Sequence, residues 1–308
     1  MATVSLAAPG RARPRRGAGR WARRGPLLPA LLFTIVVTQL PFAATLVISF
    51  LNWNALYPDD RGFAAFGNYA SVLSDPQLRS SILTTVILTV SVVLVSLVLG
   101  LAIALLLDRR FHGRAIVRTM LIAPFLVVPV AAALLWKHAL YNPEYGLFNG
   151  MLSAVFGHGA AQPDWISDAP MFSVVSSLVW QWTPFMMLIL LAGLQSRSPE
   201  IIEAARVDGA SAFAVFRHIT LPHLRQYLEL GALLGCIYIV QNFDAVFTIT
   251  AGGLGTANLP YTIYQTFYQA HDYGRASAAG VIVVIGSMIV ATFALRVVSS
   301  LLKQEANR

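Results

Sequence analysis

The chain has 308 residues, of which 56% are hydrophobic and only 12% charged, and its net charge is +8. Soluble domains carry about 25% charged residues, so this sequence cannot coat a water-exposed surface and indicates a polytopic, all-α membrane protein. Nucleic acid is not the partner that the positive charge suggests, because the basic residues gather beside the ends of apolar runs. A single cysteine, Cys236, excludes a disulfide framework or a thiolate metal cluster.

In chain order, residues 1–26 hold Arg11, Arg13, Arg15, Arg16, Arg20, Arg23 and Arg24 without apolar periodicity. This segment is expected to be a disordered basic arm drawn to anionic headgroups on the cytoplasmic side. The run from Leu27 to Phe50 exceeds the roughly 7–15 residues of a signal-peptide core, so it reads as a retained span. Five more spans follow: Ser81–Leu107, Thr119–Ala139, Met171–Leu194, Tyr227–Thr250 and Ala276–Leu302. Each reaches the roughly 20 residues that a bilayer requires. Residues 27–308 thus form one six-helix domain, with 81–302 as its core.

Loop charge sets the orientation. Arg109, Arg110, Arg114 and Arg118 follow the second span, while Arg197, Arg206, Arg217 and Arg225 follow the fourth. Arg296, Lys303 and Arg308 close the chain. The opposite loops hold only Arg61, Arg79 and Arg275, with Lys137 at a helix end. The positive-inside rule therefore puts both termini and the loop at 197–222 in the cytoplasm. The outer stretches 52–80 and 140–170 carry Trp53, Tyr57, Tyr69, Tyr141, Tyr145 and Trp165, which suit an interfacial aromatic belt.

The loop at 197–222 is a polar island between apolar spans. Pro199 suits a first helical turn, with Ser198 as its cap and Glu200 near the positive dipole end. Ile201, Ile202, Ala205 and Val207 give that short helix its apolar positions. Gly209 allows a sharp bend. Ser211 then caps a second short helix carrying Phe213, Phe216 and Ile219, which Pro222 is expected to end. Two phenylalanines on one side suit either an apolar groove on a partner or an interfacial helix lying on the headgroups.

The string Glu203-Ala204-Ala205-x-x-Asp208-Gly209-Ala210, followed by Phe216, Ile219, Leu221 and Pro222, resembles the EAA loop of permease subunits in bacterial binding-protein-dependent ABC importers. In that family the loop docks into a cleft on a separate ATPase. The resemblance therefore implies that Glu203, Ala204, Ala205, Asp208 and Gly209, with Phe213 and Phe216 beside them, form the coupling element. It further implies a type I importer permease fold in the plasma membrane. The implied partners are a second permease subunit, an ATPase dimer and an extracytoplasmic solute-binding protein.

The likeness runs from about residue 28 to 302 and favours the carbohydrate-importing branch. Gly67-Asn68-Tyr69 with Asp75-Pro76, Tyr145-Gly146-Leu147-Phe148-Asn149 and Thr250-Ala251-Gly252-Gly253 resemble that branch's outer loops. Many members continue the last with proline, where this chain has Leu254. Asn258-Leu259-Pro260-Tyr261-Thr262-Ile263-Tyr264 resembles polyol importers in particular.

Polar groups inside spans usually face a cavity or one another. Gln181 with Trp180, Trp182, Thr183 and Pro184 interrupts the fourth span, and Gln241, Asn242 and Asp244 interrupt the fifth. Sugar hydroxyls pair with Asn, Gln and Asp, and sugar C–H faces stack on aromatic rings. By resemblance, Trp182, Phe185 and Asn242 match substrate-facing positions; Gln241 and Asp244 join them on chemistry. Gln181 and Gln241 equally suit hydrogen bonds between helices, and Gly231 with Gly235 suit close helix packing.

Nothing in the sequence supplies a motor or a catalyst. The only lysines, Lys137 and Lys303, follow no glycine-rich loop, which excludes a phosphate-binding P-loop. The six histidines show no metal-ligand spacing, and no cofactor is implied. The alternative is an ion-coupled secondary transporter, with Asp244 as its carboxylate. A polytopic enzyme is disfavoured by the scarcity of intramembrane acids and bases.

Overall fold

The computed structural model describes residues 27–109, 111–157 and 161–306, which are almost wholly helical. The basic arm at 1–26, Arg110, His158 and Arg308 lie outside the described residues. Helix α1 (Leu28–Ile48) is apolar along its length, and none of its residues is buried within this chain. A hairpin follows, with β1 (Leu51–Asn52) antiparallel to β2 (Gly62–Phe63). In α2 (Gly67–Ser74) the Asn68 side-chain amide donates to the carbonyls of Ser49 (2.9 Å) and Leu51 (2.8 Å), tying this outer loop to the end of α1.

Asp75 caps α3 (Pro76–Asp108) by accepting from the Gln77 N–H at 2.8 Å. Its 33 residues extend roughly 50 Å at 1.5 Å per residue. Helix α3 packs along α8 (Pro170–Gln195), and this pair forms the spine of the molecule. Leu88, Val92 and Val93 meet Val174, Leu178 and Val179 in one layer. Ala104 and Leu107 meet Met187, Leu190, Leu191 and Leu194 in the next. Helix α8 runs unbroken through Gln181 and Pro184, so the interruption expected there is absent.

Two of the expected spans are broken, the third without an expected interruption and the fifth at the polar group marked there. The stretch read as one span, Thr119–Ala139, is instead α4 (Arg114–Leu126) and α5 (Pro129–Leu134), the latter extended by a π-helical turn at Leu135–Leu140. The two helices are bent by 96°. Pro129 explains the bend, because a residue preceding proline is driven out of the helical region. Val127 and Val128 accordingly have extended ψ angles of 134° and 133°. The outer loop beyond carries α6 (Leu147–Phe156) and α7 (Trp165–Asp168). The buried Tyr141 anchors this region, its hydroxyl donating to the Ser173 carbonyl at 3.1 Å. Burial pushes that phenol up to about 12.

The loop after α8 contains α9 (Pro199–Val207) and α10 (Ala212–Val215). The next expected span, Tyr227–Thr250, is split into α11 (Leu221–Val240) and α12 (Asp244–Ile249). The backbone freed between them is satisfied from a distance, since the Asn258 amide donates to the Asn242 carbonyl at 2.5 Å. A Cβ on Gly235 would lie 2.6 Å from Met186 Cε and 3.1 Å from Val93 Cγ2, so α11 sits against α3 and α8 as its glycines suggest. Lys137 binds the Thr248 carbonyl at 2.9 Å, fastening the π turn after α5 to α12. Asn258 caps α13 (Leu259–Tyr264), and α14 (Tyr273–Ala306) ends the fold. Arg275 on α14 pairs with Asp75 at 3.0 Å, joining the outer ends of α14 and α3. Among the described residues, α1, α3 and α8 are each long and apolar enough to cross a bilayer, and the bent α4–α5 pair passes the same test only when taken together, as one broken span or a re-entrant loop.

Candidate functional site: a coupling loop and a solute cavity

The loop folds as two short helices around a left-handed glycine. Ser198 has the extended backbone of a cap, but its hydroxyl donates to the Glu200 carboxylate and accepts no N–H from the first turn. That bond holds the Glu200 carboxyl below its usual range. Helix α9 closes with a Schellman turn, in which Ala210 N–H donates to Ala205 O (2.9 Å) and Gly209 N–H to Arg206 O (3.0 Å). This turn needs a positive φ at Gly209, and the value there is 83°. Ser211 caps α10 as expected, accepting from the Ala214 N–H at 3.2 Å.

Pro222 does not end the second helix. The chain stays helical through a π turn at Phe216–Thr220 and enters α11 directly. Pro222 is the second residue of α11, directly after that turn, so the proline lies within a continuous helical path instead of ending it. The helix pair is thus continuous with α11 on one side. Glu203, Ala204, Asp208 and Gly209 are exposed, and Ala205 and Phe216 half-buried. Three apolar side chains stand out from this polar loop, Val207 at 87%, Phe213 at 69% and Ile201 at 56% exposure.

The second site forms where the two breaks meet α8. A cavity of about 130 Å³ is lined by Phe125, Val127, Pro129, Gln181, Trp182 and Asn242. Gln181 reaches across from α8 and donates to the Val127 carbonyl at 3.0 Å, holding the α4–α5 break against the helix. Phe125 stacks on Phe185 at 5.3 Å and meets Trp182 edge-on at 5.7 Å. Trp182 also lies 5.4 Å from Tyr238. Asn242 Oδ1 is buried and has no hydrogen-bond partner among the described residues. Buried polar atoms are normally paired, so this oxygen is available to a hydroxyl. Aromatic faces beside amide groups suit a ligand with alternating C–H and O–H surfaces.

Of the residues marked in the sequence, Trp182 and Asn242 share this cavity, with Phe185 packed behind it. Gln241 is exposed at the end of α11, and Asp244 opens α12 half-buried; neither lines the cavity.

Residues 114–304 match a family described as the binding-protein-dependent transport system inner membrane component. The chain belongs to this family. It is 34% identical over 262 residues to a probable ABC transporter permease protein of Sinorhizobium fredii, covering 84% of each chain. It is 35% identical over 259 residues to the trehalose/maltose transport system permease protein MalF of Thermococcus litoralis, covering 83% of this chain and 86% of that one. A chain in the crystal structure of a bacterial alginate ABC transporter superposes with a TM-score of 0.75 at 21% identity, over 89% of this chain and 92% of that one.

As an inner membrane component of a binding-protein-dependent system, the chain is a transport subunit and not an enzyme. The ion-coupled alternative loses its support. Phe125, Val127, Pro129 and Tyr238 were not singled out from the sequence. The signal for three of them was the spacing of Pro124 and Pro129, which marks irregular backbone inside an apolar run. Tyr238 carries no local signal. The stretch Asn258–Tyr264, marked by its resemblance, does reach the second break through the Asn258–Asn242 bond.

Proposed function

We infer that this permease subunit forms part of the translocation pathway for a sugar or sugar alcohol in the bacterial plasma membrane. Solute arrives from an extracytoplasmic binding protein, and a separate ATPase dimer drives the cycle through the loop 197–222. Six crossings serve this role, namely α1, α3, α4–α5, α8, α11–α12 and α14. An even number places both termini on one side, and the arginine-rich loops assign that side to the cytoplasm. A second permease subunit completes the pathway, since the cavity described above is small and lies on a single chain.

The observation that carries this reading is the exposed helix pair bent at Gly209, continuous with α11 and presenting Glu203, Ala204, Asp208, Val207 and Phe213 to a partner. Closure of the ATPase around that pair pushes on α11, and α11 leads directly to Asn242 at the cavity. Support for a carbohydrate comes from the Trp182–Phe125–Phe185 cluster beside the Gln181 and Asn242 amides. Relatives named for trehalose and maltose transport agree with it. Asp244 and Gln241 join the pathway in this proposal as groups near the α11–α12 break.

The test is Gly209→Val and Glu203→Lys in the assembled transporter. A β-branched side chain resists the left-handed backbone that the turn at Gly209 requires. Both variants are expected to insert normally and to lose solute-stimulated ATP hydrolysis. Normal uptake by both variants overturns the coupling assignment. Growth and uptake on a panel of disaccharides and polyols decides the solute class.

A further inference from the structure

We propose that Arg197 is a positioning residue that locks the coupling loop to α3, so that the loop and the α3–α8 spine move as one body. Arg197 Nη2 lies 2.6 Å from Asp108 Oδ2, at the cytoplasmic end of α3 in the proposed orientation. Its Nη1 donates to Thr220 Oγ1 at 2.7 Å. One guanidinium therefore holds three points: the stem leaving α8, the last residue before α11, and the last residue of α3. Everything between residues 198 and 219 is a loop whose two ends converge on that planar fork.

The clamp is partly sheltered, with side-chain exposures of 18% for Arg197 and 25% for Asp108, and Thr220 is buried. A charge-assisted bond screened from water in this way is stiffer than a surface pair. Neighbouring bonds reinforce the same junction. Ser196 Oγ meets the Tyr227 hydroxyl at 2.9 Å, and His223 Nε2 contacts the Gly193 carbonyl at 3.0 Å. These fasten α11 to α8, and Arg197 adds a tie from the two ends of the loop to the last residue of α3. Helix α11 also packs on α3 through Gly235 and Leu224, so the clamp's own contribution is to hold the root of the loop, at residues 197 and 220, against the end of α3 while the helices move. This inference rests on the loop being the coupling element.

The experiment uses the transporter reconstituted with its partner permease and ATPase in proteoliposomes. Spin labels are placed at two exposed positions, Leu106→Cys on α3 and Arg217→Cys on the loop, in a Cys236→Ser background. With Arg197 intact, the label–label distance should be the same in nucleotide-free and ATP–vanadate states. In Arg197→Ala it should shift with nucleotide, ATP hydrolysis should stay within about twofold, and uptake of labelled trehalose or maltose per ATP should fall at least roughly tenfold. The exchanged pair Asp108→Arg with Arg197→Asp should restore much of both.

A distance that changes with nucleotide while Arg197 is intact overturns the proposal. So does unchanged uptake per ATP in Arg197→Ala. Parallel loss of hydrolysis, uptake and assembly shows a merely structural residue and also overturns it; Asp108→Asn provides a milder version of the same test. If the unsubstituted transporter carries neither sugar, the carbohydrate reading fails while the distance measurement still decides the clamp.

Discussion

The bond between Gln181 and the Val127 carbonyl gives the sharpest handle on the solute cavity. Gln181 is buried, and its amide is the partner recorded for a carbonyl in the break between α4 and α5. Replacing it with leucine keeps the side-chain bulk and removes the donor, leaving the carbonyl unpaired at a cost of about 1–3 kcal/mol. Each 1.4 kcal/mol is tenfold, so uptake at subsaturating solute should fall about 5- to 150-fold. Gln181→Asn, one methylene shorter, should lie between the two. The comparison is Gln77→Leu, which removes an exposed amide pair with Gln265 at the outer end of α3. That change should stay within about twofold, as surface substitutions do. Initial rates of labelled-solute uptake, normalised to permease in the membrane, decide the matter. Wild-type uptake in Gln181→Leu would refute the idea that this bond shapes the cavity.

Asn242→Ala removes the buried Oδ1 while leaving the backbone carbonyl that Asn258 holds, so the α11–α12 break should persist. A hydrogen bond to a solute hydroxyl is worth about 0.5–1.5 kcal/mol, and uptake should drop by roughly two- to tenfold with protein levels unchanged; a lowered protein level would assign Asn242 to folding instead. Gly235→Val would force a branched side chain against Val93 and Met186, and overpacking of this kind costs about 1–3 kcal/mol. Thermal unfolding in detergent should show a lowered midpoint for it and none for Gly280→Val, where a Cβ meets nothing within 4 Å.

What the sequence revealed and what it concealed divide along the range of the forces involved. The coupling loop was legible because its determinants are local. Pro199 starts a helix, Gly209 takes the positive φ that ends it, and Ser211 caps the next, all within thirteen residues of one another. Pro222 was misread for a reason that is also local. A proline can end a helix or occupy a first turn, and only the π turn at Phe216–Thr220 tells the two apart. The bend at Val127–Val128 was written in Pro129, but hydropathy averaged across it and returned a single span.

The break at Gln241–Phe243 is different in kind. It contains neither proline nor glycine, and nothing within a helical turn of it forbids a continuous helix. A membrane interior penalises unpaired backbone by several kcal/mol, so a helix opens there only if a partner waits at the right place. Asn258, sixteen residues further on and capping α13, is that partner, and it becomes adjacent only after the chain has turned back through the Gly252–Leu254 bend. Non-helical backbone at this depth is tolerated where it lines a cavity, and Asn242 does line one. The polar interruption itself was marked in the sequence; what the sequence concealed is the distant partner that lets the helix open there and place Asn242 in the cavity. Asn258→Leu should consequently disturb uptake as strongly as Asn242→Ala, despite lying outside the lining.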